Sequence, residues 1–253
     1  MDPATAPRIT LLDGFSLRLG GSGPGTAVGV LPHGVQRLVA HLCLTERSAR
    51  AAIAGHLWPD VPEEHAHGSL RSALWRLHKT VPGLIETSRN AMRLAPGVRV
   101  DIRELRDWAR GALDPRLGAD DVVVPPAELR GDLLPGWYDD WVLLERERLR
   151  QLLMHSLEAM AVKLTDAGRH GEALQVAYSA ARLEPLRESA HRTVVRVHLA
   201  EGNVAEARRA YDLFRELLAD ELGVVPSDQM ARMIPEIPRP RRSSRPAQGD
   251  GVG

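Results

Sequence analysis

Residues 66–81 read AHGSLRSALWRLHKTV. At 3.6 residues per turn, Leu70, Leu74, Leu77 and Val81 fall in one narrow arc, so the spacing predicts a helix with a single apolar stripe. The opposite face carries Ser72, Trp75, Arg76 and Lys79, with Arg71 on its flank. A tryptophan left in water forfeits burial worth about 1.5–3 kcal/mol. Trp75 therefore either folds onto a neighbouring element of a solvated basic face, or meets a partner. A cationic helix of this kind also suits the major groove of DNA, where Arg and Lys read base edges.

The flanking sequence frames this helix. Upstream, His33–Thr45 places Val35, Leu38, Val39, Leu42 and Cys43 on one face. Glu46–Trp58 then predicts a second helix, with Ser48 as a candidate cap and Ala52, Ile53 and Leu57 turned inward. Pro59 and Pro62 stop it, since proline cannot continue the ladder. Downstream, Leu84–Val100 changes to strand pattern: LIET, a turn at Ser88-Arg89-Asn90, and MRLA, with Arg89 and Arg93 projecting and Asn90 suited to a left-handed turn position. At the start of the chain, RITLLDGFSLRL (8–19) predicts a tight hairpin about Asp13-Gly14. A glycine-rich turn follows at Gly20–Gly25, and Val28–Leu31 reads as a third short strand. That glycine cluster has neither the lysine of a phosphate loop nor a dinucleotide fingerprint. Strands, three helices and a closing hairpin make a winged helix-turn-helix over residues 1–100. The topology serves DNA binding, and it also serves protein docking.

Charge divides the chain. Residues 1–100 carry 11 Lys and Arg against 7 Asp and Glu, and six of the ten histidines, whereas residues 101–234 carry 18 against 24. A basic first part and an acidic second part point to two tasks, one of them on a polyanion. The 253 residues suffice for one large domain or two ordinary ones. No apolar run is long enough to span a membrane and no signal segment opens the chain, so a soluble, cytoplasmic protein is expected. The lone cysteine, Cys43, excludes an internal disulfide and fits a reducing compartment.

The second part begins with a helix over Val100–Leu113 and a Pro- and Gly-marked loop over Asp114–Pro126; a turn at Pro135-Gly136 leads into a long helical run over Trp137–Ala167. Asp139 and Asp140 are expected to favour the positive end of the helix dipole rather than to hold a metal. Gly168, Glu172 and Ala173 recur as Gly202, Glu206 and Ala207, each 34 residues on, which is the tetratricopeptide period, and Pro185 closes the first unit. Two units are fewer than a free-standing stack needs, so the preceding helices and a short one near Ser227–Met233 are expected to cap them. The fold class is thus mainly α: a winged helix-turn-helix (α+β), then an all-α tetratricopeptide-like domain over 101–234. The tail, 235–253, has the composition of disorder.

Several stretches together carry a family resemblance: ITLLDGFSLRL, HGVQRLVAHLCL, LWPD, LRSALWRLHK, DLLPGWYDDWVLLERERLRQ, LEPLRESAHR and DELGVVPS. Over about residues 8–233 the chain resembles the bacterial antibiotic-regulatory activators (SARP family), which join an OmpR-type winged helix to a bacterial transcriptional activator domain. The resemblance implies an activator that binds double-stranded DNA at promoter direct repeats, side by side as a pair, and recruits RNA polymerase subunits at secondary-metabolite (antibiotic) gene clusters. It implies DNA contacts from Arg71, Ser72, Trp75, Arg76 and Lys79 in the recognition helix and from Arg89 and Arg93 in the wing. A homodimer on DNA is expected, with no cofactor, no metal and no membrane partner. No nucleotide-binding or receiver domain accompanies these parts, so control by ATP hydrolysis or aspartyl phosphorylation is not expected within the chain.

Two other classes compete. A helical-repeat adaptor would use the winged helix only to dock proteins. An enzyme would need a nucleophile elbow, zinc-ligand spacing or a phosphate loop, and none is found. The acidic and histidine residues Asp60, Glu63, Glu64, His65 and His67 gather in the turn before the recognition helix, and the histidines read as phosphate donors or simple loop residues rather than metal ligands. A piece ending near Val100 is expected to keep operator recognition, more weakly.

Overall fold

The computed structural model describes residues 6–21, 23–121 and 131–234. The expected tail and the Pro125-Pro126 end of the loop after Leu113 lie outside them. The chain opens with β1 (Arg8–Thr10), β2 (Ser16–Gly21) and β3 (Gly23–Ala27). Then come α1 (His33–Leu44), β4 (Ser48–Ala49), α2 (Arg50–Leu57), α3 (Glu63–Thr80), β5 (Ile85–Ser88), β6 (Ala91–Leu94) and β7 (Arg99–Val100). Six helices follow among the described residues: α4 (Asp101–Leu113), α5 (Asp140–Asp166), α6 (His170–Leu183), α7 (Glu188–Ala200), α8 (Val204–Leu222) and α9 (Asp228–Ala231).

The first sheet runs β3-β2-β1-β7, with β7 parallel to β1. The hairpin at Asp13-Gly14 is wider than a tight turn, although both residues take the positive φ that the pair favours (58° and 127°). Leu11 and Leu12 leave the ladder because other groups claim them. Their N–H groups donate to the Asp101 carboxylate at 2.9–3.0 Å, and Leu12 bridges to Leu133. The third strand lies at Gly23–Ala27 rather than at Val28–Leu31. Val28 still donates to Leu17 at 2.9 Å, but Val30 is fully in solvent and Pro32 opens the next helix.

The second sheet, β4-β6-β5, is the wing and its root. It shortens the second helix at its start. Ser48 and Ala49 pair with Met92 and Ala91, so Ser48 is a strand residue bonded to the Thr45 hydroxyl and not a cap. Within α2, Ile53, Ala54 and Leu57 are buried while Ala52 is exposed, one position off the expected face. The wing turn needs no left-handed residue: outside glycine, only Asp13 and Leu134 have positive φ among the described residues.

The packing does not break at Val100. Ile102, Leu105, Leu133, Leu134, Trp141, Val142 and Leu149 belong to the same core as Ile9, Leu38, Leu42, Ile53, Leu57, Leu70 and Leu77. Polar groups follow the apolar ones. Arg103 donates to the carbonyls of Leu42, Cys43 and Thr45, which would otherwise be unpaired acceptors at the C-terminus of α1. Arg106 joins Leu44 to Glu145 of α5. Asp139 stands 2.6 Å from Arg37 of α1, so this carboxylate ties two helices together beyond any effect on the dipole. Burial pushes the Asp101 carboxyl above its usual pKa, although three backbone N–H groups and Arg8 act in the opposite direction. The Cys43 thiol is likewise pushed up by burial.

The repeat is present as two helix pairs, α5/α6 and α7/α8. Gly168 and Gly202 take φ of +75° and +85° where α5 and α7 end, and Ala173 and Ala207 are wholly buried where the paired helices meet. Gly223, at φ +68°, ends α8 by donating to Ala219 while Val224 reaches back to Leu218. Ser227 caps α9, accepting from Met230, and is itself held by the Glu188 carboxylate.

Candidate nucleic-acid interface

Ala66, Leu70, Ala73 and Leu77 bury one face of α3, with Leu74 half-buried beside them and Val81 just past its end. Their spacing of three and four residues fixes which residues face outward. Arg71, Ser72, Trp75, Arg76 and Lys79 are all exposed. The Trp75 side chain is 65 % exposed, so it does not fold onto a neighbouring element. Lys79 lies four residues on, its Nζ 5.4 Å from the Trp75 ring centroid. A cation over an aromatic face gains about 0.5–1 kcal/mol at an exposed site, far less than burial of the ring would return. Arg71, Ser72 and Arg76 also line a cleft with His65 of the same helix, Trp58 at the end of α2 and Gly34 of α1.

The wing stands beside this helix. Leu74, Leu77 and His78 of α3 share a second cleft with Ile85 and Thr87 of β5 and Arg50 of α2. Arg89, at the hairpin turn, is exposed and has no polar partner among the described residues. Arg93 differs. It faces Glu86 across the hairpin and donates to one carboxylate oxygen from Nε at 2.9 Å and from Nη2 at 2.7 Å, so its charge is answered within the wing. The residue that sequence reading missed is Arg47. Its guanidinium donates to the Ser88 hydroxyl at 3.2 Å, which adds an exposed cation to the wing tip. Only the pairing of β4 with β6 brings it there, and a two-residue strand leaves no periodic signal.

The arrangement can do one kind of chemistry well. An exposed helix face with three cations, a hydroxyl and an aromatic ring, next to a hairpin tipped by Arg89 and Arg47, offers donors to phosphate oxygens and base edges. The acidic and histidine cluster does not precede the helix: only Asp60 lies before α3, Glu63 stands 3.6 Å from His67 within its first turns, and exposed Glu64 borders the cleft with Arg71 and Arg76.

Fold and face together define a winged helix with an exposed cationic helix face, joined to a helical repeat. The chain is similar to bacterial regulatory proteins of the SARP family. Residues 126–238 match the bacterial transcriptional activator domain. Regulatory protein AfsR of Streptomyces coelicolor is 32 % identical over 203 residues, which cover 75 % of this chain and 20 % of that protein. Regulatory protein AfsR of Streptomyces griseus is 29 % identical over 211 residues, covering 76 % and 21 %. The chain therefore spans about a fifth of the length of these relatives. Among solved structures, Mycobacterium tuberculosis EmbR, in complex with a low-affinity phosphopeptide, superposes with a TM-score of 0.68 at 18 % identity. That match covers 90 % of this chain and 63 % of the other, and it bears on fold alone. No helix among the described residues is long and apolar enough to cross a membrane.

Proposed function

We propose that this protein is a sequence-specific transcriptional activator working in the cytoplasm, and that residues 101–234 act as its effector part. In this reading it binds promoter direct repeats as a pair of copies and recruits RNA polymerase at secondary-metabolite gene clusters. Arg71, Ser72, Arg76 and Lys79 enter the major groove, Trp75 packs on sugar or a thymine methyl, and Arg89 with Arg47 meets the backbone beside it. Arg93 serves the wing first, through Glu86.

The observation that carries this reading is the exposure of Trp75 and its cationic neighbours on a helix whose other face is locked in the core. A large ring kept in water is uphill by itself, and a groove partner would recover the loss. The likeness to bacterial regulatory proteins supports the same reading. A mobility-shift titration of the full chain on upstream fragments of its neighbouring genes, repeated at several salt concentrations, tests it. The expected result is specific retention that weakens steeply with salt.

A further inference from the structure

The repeat region is net acidic, but one groove in it has the opposite sign. An opening of about 470 Å³ lies between α5 and α7, bordered by Leu113 of α4. Leu152, Ala159 and Val162 give it an apolar lining, Arg192 and Arg196 give it cations, and His155 lies beside them. Its one carboxylate is already engaged: Glu158 accepts from the Ser189 hydroxyl at 2.6 Å and stands 3.9 Å from Arg187. Arg192 is shared between Glu188 and Gln229. Arg196 and His155 are exposed and have no partner among the described residues.

A complementary feature stands on the winged helix. The connection between α2 and α3 runs Trp58-Pro59-Asp60-Val61-Pro62; Glu63 and Glu64 form the first turn of α3, and Pro59 to Glu64 are all exposed. Three carboxylates flank one apolar side chain, Val61, which is 40 % exposed. Two prolines narrow the backbone, so holding this loop in a bound shape costs little entropy. Next to DNA its carboxylates are repelled by phosphate, so its charge suits a basic protein surface instead. Among the described residues no ion pair joins loop and groove within one chain.

We propose that the α5/α7 groove of one copy takes the acidic Asp60–Glu64 corner of a second copy, where the loop enters α3, with Val61 on the apolar lining and the carboxylates toward Arg196, Arg192 and His155. The proposal rests on the direct-repeat reading above. Copies on direct repeats face the same way, so their contact joins two different patches, head to tail, and requires complementary rather than self-complementary surfaces. This loop and this groove are such a pair in charge and in polarity.

Charge reversal tests it on the full chain. One variant carries His155→Glu and Arg196→Glu, both at exposed, unpartnered positions. The other carries Asp60→Lys, Glu63→Lys and Glu64→Lys. Duplexes chosen by in vitro selection with the wild-type protein, bearing one site or two in tandem, separate intrinsic affinity from cooperativity. Failure to select any site would sink the functional reading itself, whereas the ratio of tandem to single-site affinity addresses the groove. We expect a wild-type cooperativity factor within about 5–150, the range of ordinary coupling energies, falling to about 1 for either variant alone. An equimolar mixture should restore it, because mixed pairs are complementary in either order. The proposal is overturned if the wild type shows no cooperativity, if either variant keeps the wild-type factor, or if the mixture fails to restore it. Lost transcription with unchanged cooperativity would also overturn it and give the groove to the polymerase.

Discussion

The Asp101 carboxylate accepts the backbone N–H of Leu11 at 2.9 and 3.0 Å, ninety residues away in sequence and 1 % exposed at the centre of the fold. The same group takes the N–H of Leu12 and of Ile102. It thereby fastens the first helix after the winged helix to the residues that follow the first strand of the chain. Leaving buried donors unpaired costs about 1–3 kcal/mol each. Asp101→Ala should therefore destabilise the protein by at least ~3 kcal/mol in urea unfolding, and an unchanged midpoint would show that these bonds are replaced.

The same relationship alters what truncation should do. A chain ending at Val100 lacks Asp101, Arg103, Leu133, Leu134 and Trp141, and so loses one wall of the winged-helix core. It should fail to unfold cooperatively or to bind DNA, contrary to the expectation from sequence. A cooperative, site-specific fragment 1–100 would show that this wall is dispensable.

Base reading is assigned to the helix face. Arg76→Ala should weaken specific binding by about 1–3 kcal/mol and relax preference at one base pair. Trp75→Ala should weaken it without altering the salt slope, because the ring carries no charge. Equal affinities of wild type and Arg76→Ala for cognate and scrambled duplexes would remove Arg76 from the reading set.

The wing should respond unevenly to its two arginines. Arg89→Ala should flatten the plot of log affinity against log salt by about 0.9, one phosphate contact. Arg93→Ala should change it less, since Glu86 already answers that charge. Glu86→Gln frees Arg93 and should tighten non-specific binding. Equal slope changes for Arg89→Ala and Arg93→Ala would place both on phosphate.

His41 gives a pH dependence. It is packed among His56 and Trp141 at the join of α1, α2 and α5, and burial, aided by His56, lowers its pKa to about 4. A base whose folded pKa lies below its unfolded value of about 6.5 takes up protons on unfolding, so the protein loses stability as pH falls from 6.5 toward 4. The loss attributable to this one group should be about 2–3 kcal/mol by pH 4. His41→Gln should flatten the profile; an unchanged profile would assign the acid sensitivity elsewhere.

What the sequence disclosed was local in period. The leucine spacing of α3, the apolar face of α1 and the 34-residue echo of Gly168 in Gly202 each repeat within a few turns or one unit, and each appears in the fold. What it hid depends on pairing at a distance. Ser48 resembles a cap until Met92 is known to lie beside it, and Arg93 looks free until the register places Glu86 opposite. Arg47 reaches the wing tip only through that same sheet. The join at Asp101 leaves no periodic trace, because both partners read as ordinary ends of elements.

The most direct test of the account is the affinity of the full chain for its selected duplex as a function of salt, with wild type beside a variant lacking Arg71, Arg76 and Lys79. Site-specific binding by the wild type with a steep negative salt slope is expected, and in the triple alanine variant a slope flatter by about 1–2, from Arg71 and Lys79, together with loss of site preference as Arg76 is removed. Equal binding by the two proteins, or no retention of any duplex, would contradict it.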